Sequence, residues 1–323
     1  MVAPDTAGDP QSEQKWVRRS LRQLSARLGA LGHAASPPTV GRLLKTLDYA
    51  LHVNAKKREA SAAHPQRNEQ FEYLAAQREA FTTAGWPIIS VDTKKKELIG
   101  NFKNAGQSWS REAAAVNVHD FRQDAQGRAV PYGIYDVTRN RGTVAVGQSG
   151  DTPRFAVTAI AHWWATEGRL AFPAADQLLI LADAGGSNGC QPRRWKQQLQ
   201  EQLCDQFGLR VTVGHYPTGC SKWNPVEHRL FGPISLNWAG QPLRSWETLL
   251  SLIRGAQTRT GLAVSAHRDD QVYLTGETVS DAELAALHLE PHAVCPRWNY
   301  TLRPRQLAAT ITAPPGARPE LNS

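Results

Sequence analysis

The chain has 323 residues, 41% of them hydrophobic and 20% charged, with a formal net charge of +8. That composition suits a globular protein with room for one catalytic domain and a smaller module, and no apolar run nears the roughly 20 residues a membrane helix needs. The four cysteines (Cys190, Cys204, Cys220, Cys295) form no CxxC pair and read as reduced thiols, and no secretory signal is visible.

Positive charge is concentrated near the start. Between Lys15 and Arg58, ten Lys or Arg residues face the single acid Asp48, a local charge of +9. Clustered positive charge is the footprint of phosphate-backbone binding. Residues 1–14 are polar and are expected to be disordered. From Trp16 onward, Val17, Leu21, Leu24 and Leu28 recur at helical spacing until Gly29 and Gly32. Ser36 can cap a second helix with Pro37 or Pro38 in its first turn. Val40, Leu43, Leu44 and Leu47 would turn inward, with Thr39, Arg42 and Lys45 on the other side. Two short helices, the second basic, resemble a helix-turn-helix, assigned to residues 15–64 as an all-α module. Thr39, Arg42 and Lys45 would contact DNA, joined by Lys56, Lys57 and Arg58 on a strand or wing. An ordinary helical hairpin with a solvated basic face would give the same pattern.

Residues 65–85 read as a connecting helix through Phe71, Leu74, Ala75 and Phe81. A strand, Pro87-Ile88-Ile89-Ser90-Val91, then ends at Asp92, and Lys94, Lys95, Lys96 and Lys103 follow. Residues 132–137 and 143–147 read as strands across a turn at 138–142. Thr152-Pro153 starts a helix, Leu178-Leu179-Ile180-Leu181-Ala182 forms a strand ending at Asp183, and a helix runs from Pro192. A strand over 209–213 leads to a polar loop and the helix start Asn224-Pro225-Val226-Glu227-His228. This order is that of an α/β, ribonuclease H-like mixed sheet flanked by helices, assigned to residues 86–240. In such a sheet the first and fourth strands are neighbours, which brings Asp92 beside Asp183. Beyond it, residues 241–302 form an extension packed on the core. It includes a helix over 245–253, a pair of strands at Val264 and Val272-Tyr273-Leu274, and a helix capped by Ser280. Residues 303–323 form a disordered tail.

Two carboxylates at strand ends and one on a helix are what a two-magnesium phosphoryl-transfer site needs, since hard cations take oxygen ligands. Each acid also has a simpler explanation. Asp is a common turn residue at strand ends. Asn224, Pro225 and Glu227 make a capping box that requires no catalysis. Gly185-Gly186-Ser187-Asn188-Gly189 lacks phosphate-loop spacing and reads instead as a place where a DNA backbone or a metal-bound water approaches closely. Asp120 and Asp136 are reserve carboxylates, His228 and Asn188 candidate assistants, and Lys222 a phosphate contact. Trp109 and Trp223, in polar loops, are candidates for stacking on unpaired bases.

These motifs resemble one family. Val91-Asp92-Thr93-Lys94-Lys95-Lys96-Glu97, Val118-His119-Asp120-Phe121, Tyr135-Asp136-Val137-Thr138 and Leu181-Ala182-Asp183-Ala184-Gly185-Gly186-Ser187-Asn188 are among them. Ser221-Lys222-Trp223-Asn224-Pro225-Val226-Glu227-His228-Arg229-Leu230-Phe231 and Trp298-Asn299-Tyr300 complete the set. Together, from about residue 9 to 304, they are similar to the ISAzo-type (Rhodopirellula-type) DDE transposases of bacterial insertion sequences. The resemblance implies Asp92, Asp183 and Glu227 as catalytic and metal-binding triad, with two Mg2+ or Mn2+ ions. It implies a homo-oligomer in the bacterial cytoplasm, associated with the nucleoid, that binds double-stranded DNA at terminal inverted repeats and target sites. Members usually begin with a longer DNA-binding region than the few residues before Trp16 supply. The alternative is therefore a truncated or domesticated copy acting only as a DNA-binding protein. A nuclease or integrase on the same fold is a second rival.

Overall fold

The computed structural model describes residues 6–8, 15–17, 20–49, 65–108 and 110–305. The chain divides into two compact units, residues 1–60 and 61–323. In the first unit, β1 (Thr6–Gly8) pairs antiparallel with β2 (Lys15–Val17). Helix α1 (Leu21–Ala30) therefore starts later than the apolar spacing from Trp16 predicts. Ser20 fixes its start, accepting from the Gln23 amide while the Gln23 side chain accepts from the Ser20 amide. Helix α2 (Pro37–Thr46) is capped by Ser36, as predicted. Leu24, Leu28 and Val40 are buried together with help from Ala35 and Leu44, but Leu43 and Leu47, expected inside, are 50% and 58% exposed. Two ten-residue helices share a single contact stripe, so one helical face cannot bury all four apolar positions of α2. Lys56, Lys57 and Arg58 lie outside the described residues.

The second unit is built on one mixed sheet. Helix α3 (Arg67–Thr83) precedes β3 (Ile88–Thr93) and β4 (Glu97–Ile99), and an irregular stretch then leads to the hairpin β5 (Gly127–Asp136) and β6 (Arg141–Gly147). Helix α4 (Pro153–Trp163) runs through a π turn (Trp164–Gly168) into the short α5 (Arg169–Ala171). Strand β7 (Gln177–Asp183), helix α6 (Arg193–Leu199, extended by a π turn over Gln200–Asp205) and strand β8 (Arg210–Tyr216) complete the central order. A helix over residues 225–237 follows, π-helical at Glu227–Phe231 and α-helical as α7 (Gly232–Asn237). Then come α8 (Trp246–Arg254), β9 (Ala263–Asp269), α9 (Asp281–Ala285), β10 (Leu289–Pro291) and β11 (Asn299–Leu302).

The strand order is β10-β11-β8-β7-β3-β5-β6-β9, with β4 off this path on β5. Strands β3 and β7 are parallel neighbours, Val91 opposite Ala182, as the element order requires. The extension does more than pack on the core: β9 adds a parallel strand beyond β6, and the β10–β11 hairpin closes the other edge beside β8. The strand expected at 272–274 is absent. Val272 and Leu274 are exposed there, while Tyr273 is buried and donates its hydroxyl to Asp269. Three apolar-looking residues with only the middle one inward satisfy a loop as well as a strand.

Alternation along the strands assigns the two faces. Ile89 and Val91 of β3, with Leu178, Ile180 and Ala182 of β7, pack under α4 and α6 against Phe155, Ile160, Trp163 and Trp195. Ile88, Leu179 and Leu181 pack on the opposite face with Leu74 and Phe81 of α3. Ser90, Asp92 and Asp183 share the parity of that second face. Helix α3 is no mere connector: buried Gln70 donates to the His215 carbonyl and Asn299 Oδ1 (both 2.8 Å) and receives from Asn299 Nδ2 at 2.6 Å.

Two glycines let the 225–237 helix lie close to the sheet. A Cβ on Gly133 would meet Phe231 at 2.4 Å, and one on Gly142 would meet Leu230 at 2.3 Å. Gly133 is also the register partner of Asp92. Gly133→Ala is therefore expected to push this helix outward and destabilise the protein by about 1–3 kcal/mol, measured by chemical denaturation. An unchanged midpoint would show that the close approach is unnecessary.

Candidate active site

Asp92, Asp183 and Glu227 are brought together by three different elements. Asp92 is the penultimate residue of β3 and Asp183 the last of β7, so parallel pairing sets both at the same sheet end and on the same face. Glu227 opens the π turn of the helix after β8. The Asp92 carboxylate accepts from the Thr93 amide at 2.7 Å. Burial first, and then the charges of Asp183 and Glu227, push the Asp92 carboxyl up to about 8. Burial and Glu227 likewise raise Asp183 to about 6, against a lowering hydrogen bond from Asn224. The site is thus a concentration of negative charge, in which the side-chain cation of Lys94 feels Glu227. Among the described residues no three His, Cys, Asp or Glu side chains gather as a ready-made metal cage. Pairwise, Asp92 feels both other acids and Asp183 feels Glu227.

Asn224 explains how the helix is fixed, and it corrects the capping-box reading of Glu227. Its side chain does not cap its own helix. It is fully buried, with Nδ2 donating to Asp183 Oδ1 (3.0 Å) and to the Val91 carbonyl (3.2 Å) while Oδ1 accepts from Ser90 Oγ at 2.5 Å. Ser90 Oγ in turn accepts from the Val226 amide at 2.9 Å. The helix N-terminus is therefore satisfied by a strand hydroxyl, and Glu227 is left free of capping duty. Sequence reasoning missed both residues in this role. The available signal was Ser90, a lone polar residue inside an apolar strand.

The remaining candidates fall in distinct places. Lys94 is half-buried 3.7 Å from Glu97, with its ammonium 4.6 Å from the Trp238 ring centre, and burial holds its pKa down against the charges of Glu97 and Glu227. Lys94, Lys95, Lys96 and Lys103 line a cavity of about 620 Å³, together with Arg122, Arg128, Asp120 and Asp151. Asp151, not anticipated, accepts from Thr93 Oγ1 at 3.0 Å. Asp136 is no partner of the site. It lies opposite Ile89, at the far end of β3, where Oδ1 accepts from the Thr138 and Arg139 amides and closes the hairpin turn. An antiparallel partner places its last residues beside its neighbour's first ones. Lys222 and His228 are exposed, and the His228 ring meets the Lys222 carbonyl. Asn188 is fully buried in the loop after Asp183, its amide without a hydrogen-bond partner among the described residues. Thr39 receives a bond from Arg42 (3.4 Å), while Arg42 and Lys45 are exposed on α2. Trp109 lies outside the described residues, and all four cysteines are free.

A family model described as a Rhodopirellula transposase DDE domain matches residues 1–304. No curated protein matches the chain. Among solved structures, the chain is similar to the Mos1 transposase paired-end complex with left transposon end, at 14% identity and a TM-score of 0.43, over 72% of this chain and 64% of that one. The Mos1 strand transfer complex matches at 14% identity and a TM-score of 0.42, over 75% and 71%. The Mos1 mariner paired-end complex with Mn matches at 13% and 0.42, over 72% and 64%. The chain thus spans about 64% of the length of the first of these.

The raised carboxyl groups give a signed pH dependence. An unfolded Asp titrates near 3.9, so between that value and about 8 the native Asp92 holds a proton that the unfolded chain has lost, and native stability falls as pH rises through this window. Asp92→Asn removes this loss. In EDTA its melting temperature should exceed the wild type's by a margin that widens from about pH 5 to about pH 8. A margin that shrinks with rising pH would mean that Asp92 is already compensated in the native protein.

Proposed function

The chain belongs to the Rhodopirellula-type DDE transposase family, and from that premise we propose that it is a metal-dependent DNA transposase with Asp92, Asp183 and Glu227 as its catalytic triad. One observation carries the reading: three half-buried acids from β3, β7 and the 225–237 helix meet at one place, where Asp92 is raised by both others and Asp183 by Glu227. Side-chain charge arranged at such cost is what divalent cation binding would relieve. The all-oxygen donor set fits Mg2+ or Mn2+. Two ions would be held by Asp92 with Asp183 and by Asp92 with Glu227. When bound, such a pair activates the attacking oxygen and stabilises the leaving one.

The chain's own residues do the rest. Asn224 and Ser90 hold the Glu227 helix against both Asp-bearing strands. Lys94, Lys95, Lys96 and Lys103, with Arg122 and Arg128, form a basic channel for the phosphates of the strand leading away from Asp92. The sheet order, with both Asp residues at one end of adjacent parallel strands, is that of a ribonuclease H-like core. In the first unit, Arg42 and Lys45 on α2 are available for terminal-repeat DNA in a helix-turn-helix. Two element ends must be cut and joined together, so a homo-oligomer is the working assembly. No described helix is long and apolar enough to cross a membrane, and DNA in the bacterial cytoplasm is the substrate. Retention of all three acids and of their buried support favours an active enzyme over a copy that only binds DNA.

The test uses duplexes carrying the inverted repeats that flank the gene. Purified protein should nick them only with Mg2+ or Mn2+, and Asp92→Ala and Glu227→Gln should each lower the rate at least about a hundredfold. Asn224→Ala keeps every acid but frees the helix, and should cost about 10- to 100-fold. Activity surviving Asp92→Ala would remove this residue from the site, and wild-type inactivity under both metals would refute the catalytic reading.

A further inference from the structure

Trp223 has no part in the phosphodiester chemistry, yet it is 55% exposed, the most of any tryptophan whose burial is described. An indole left open to water costs hydrophobic stabilisation unless something covers it. Its position is set by the site itself. It ends a 3₁₀ turn, Ser221–Trp223, whose flanking residues Cys220 and Asn224 are both buried. The Trp223 amide donates to the Cys220 carbonyl, and the Asn224 amide to the Ser221 carbonyl, each at 2.9 Å. Asn224 then touches the Asp183 carboxylate directly. One peptide bond separates the exposed ring from the residue that holds the acids together.

The surroundings of the ring are basic and aromatic. Phe71 meets it edge-on, with centroids 5.9 Å apart and planes at 71°, and Lys222 Nζ lies 5.6 Å from its centre. His228 and Arg229 are exposed one helical turn further on. An aromatic platform interleaved with cations is the pattern that receives a nucleobase and its phosphate together. A continuous duplex turns its base faces inward onto one another and offers none to an indole. We propose that Trp223 is a stacking site for an unpaired base of the DNA strand held at the carboxylates, with Lys222 on that nucleotide's phosphate. The inference rests on the proposed function for its substrate class. It adds that the enzyme engages DNA frayed or unpaired beside the cleaved bond.

The test compares two duplexes of one sequence, fully paired and with a short unpaired tail, each carrying 2-aminopurine at the junction, in Ca2+ with the full chain. Wild type should quench the tailed probe and bind it more tightly than the paired one. Trp223→Ala should lower tailed-duplex affinity about tenfold more than paired-duplex affinity and abolish the quenching, whereas Trp223→Phe should retain most of both. Equal loss on the two probes, or no tail preference in the wild type, overturns the stacking site. Nicking in Mg2+ is scored on the same duplexes. Metal-dependent nicking with a tail preference unaltered by Trp223→Ala sinks the stacking site and leaves the transposase reading standing. A Trp223-dependent tail preference without any nicking supports the stacking site and sinks the catalytic reading.

Discussion

The buried amide of Asn224 is the interaction on which the arrangement of the second unit's working end depends. It joins Asp183 on β7, the Val91 carbonyl on β3 and the hydroxyl of Ser90, and that hydroxyl caps the helix carrying Glu227. The side-chain donors of Asn224 and Ser90 are all used and both residues are fully buried, so this geometry is strongly preferred over any alternative. The sheet supplies the first half of the alignment, because parallel β3 and β7 end together. Asn224 supplies the second half by converting a helix start into a strut between two strands. Gly133 and Gly142 then allow Leu230 and Phe231 to seat the same helix against β5 and β6.

The electrostatics run against this structural economy. Asp92 is raised to about 8 and Asp183 to about 6 chiefly by burial, with Glu227 adding to both and Asp183 to Asp92. Acids gathered from two strands and a helix at this electrostatic cost are what cation binding would relieve. The ammonium of Lys94, which feels Glu227, is itself tied to Glu97 and Trp238. On the proposed function, negative charge confined beside a basic channel would suit a phosphodiester substrate: the channel would draw the backbone in, and the acids would repel it until divalent cations intervened.

Much of this was legible in the residues. Apolar runs ending at Asp92 and Asp183, with the order of elements between them, were enough to predict adjacent parallel strands, because chain order constrains which strands can be neighbours. Glu227 was legible as an acid on the next helix. Its local pattern pointed to a capping box, since Asn, Pro and Glu at those positions cannot reveal that Asn224 reaches a strand over 130 residues away in sequence. Ser90 looked like an interruption of an apolar strand for the same reason. The late start of α1 and the missing strand at 272–274 reflect choices made by a capping side chain and a single buried tyrosine, below the resolution of hydrophobic spacing. Leu43 and Leu47 followed the helical period faithfully and still remained exposed, because periodicity reports a face and says nothing of what covers it.

The central claim is that these acids exist to hold divalent cations. Crystals grown with Mn2+ and measured at the manganese absorption edge test it directly. Two anomalous peaks about 3.5–4 Å apart are expected, one between Asp92 and Asp183 and one between Asp92 and Glu227. Manganese bound elsewhere, or no peak beside Asp92 at saturating Mn2+, would contradict it.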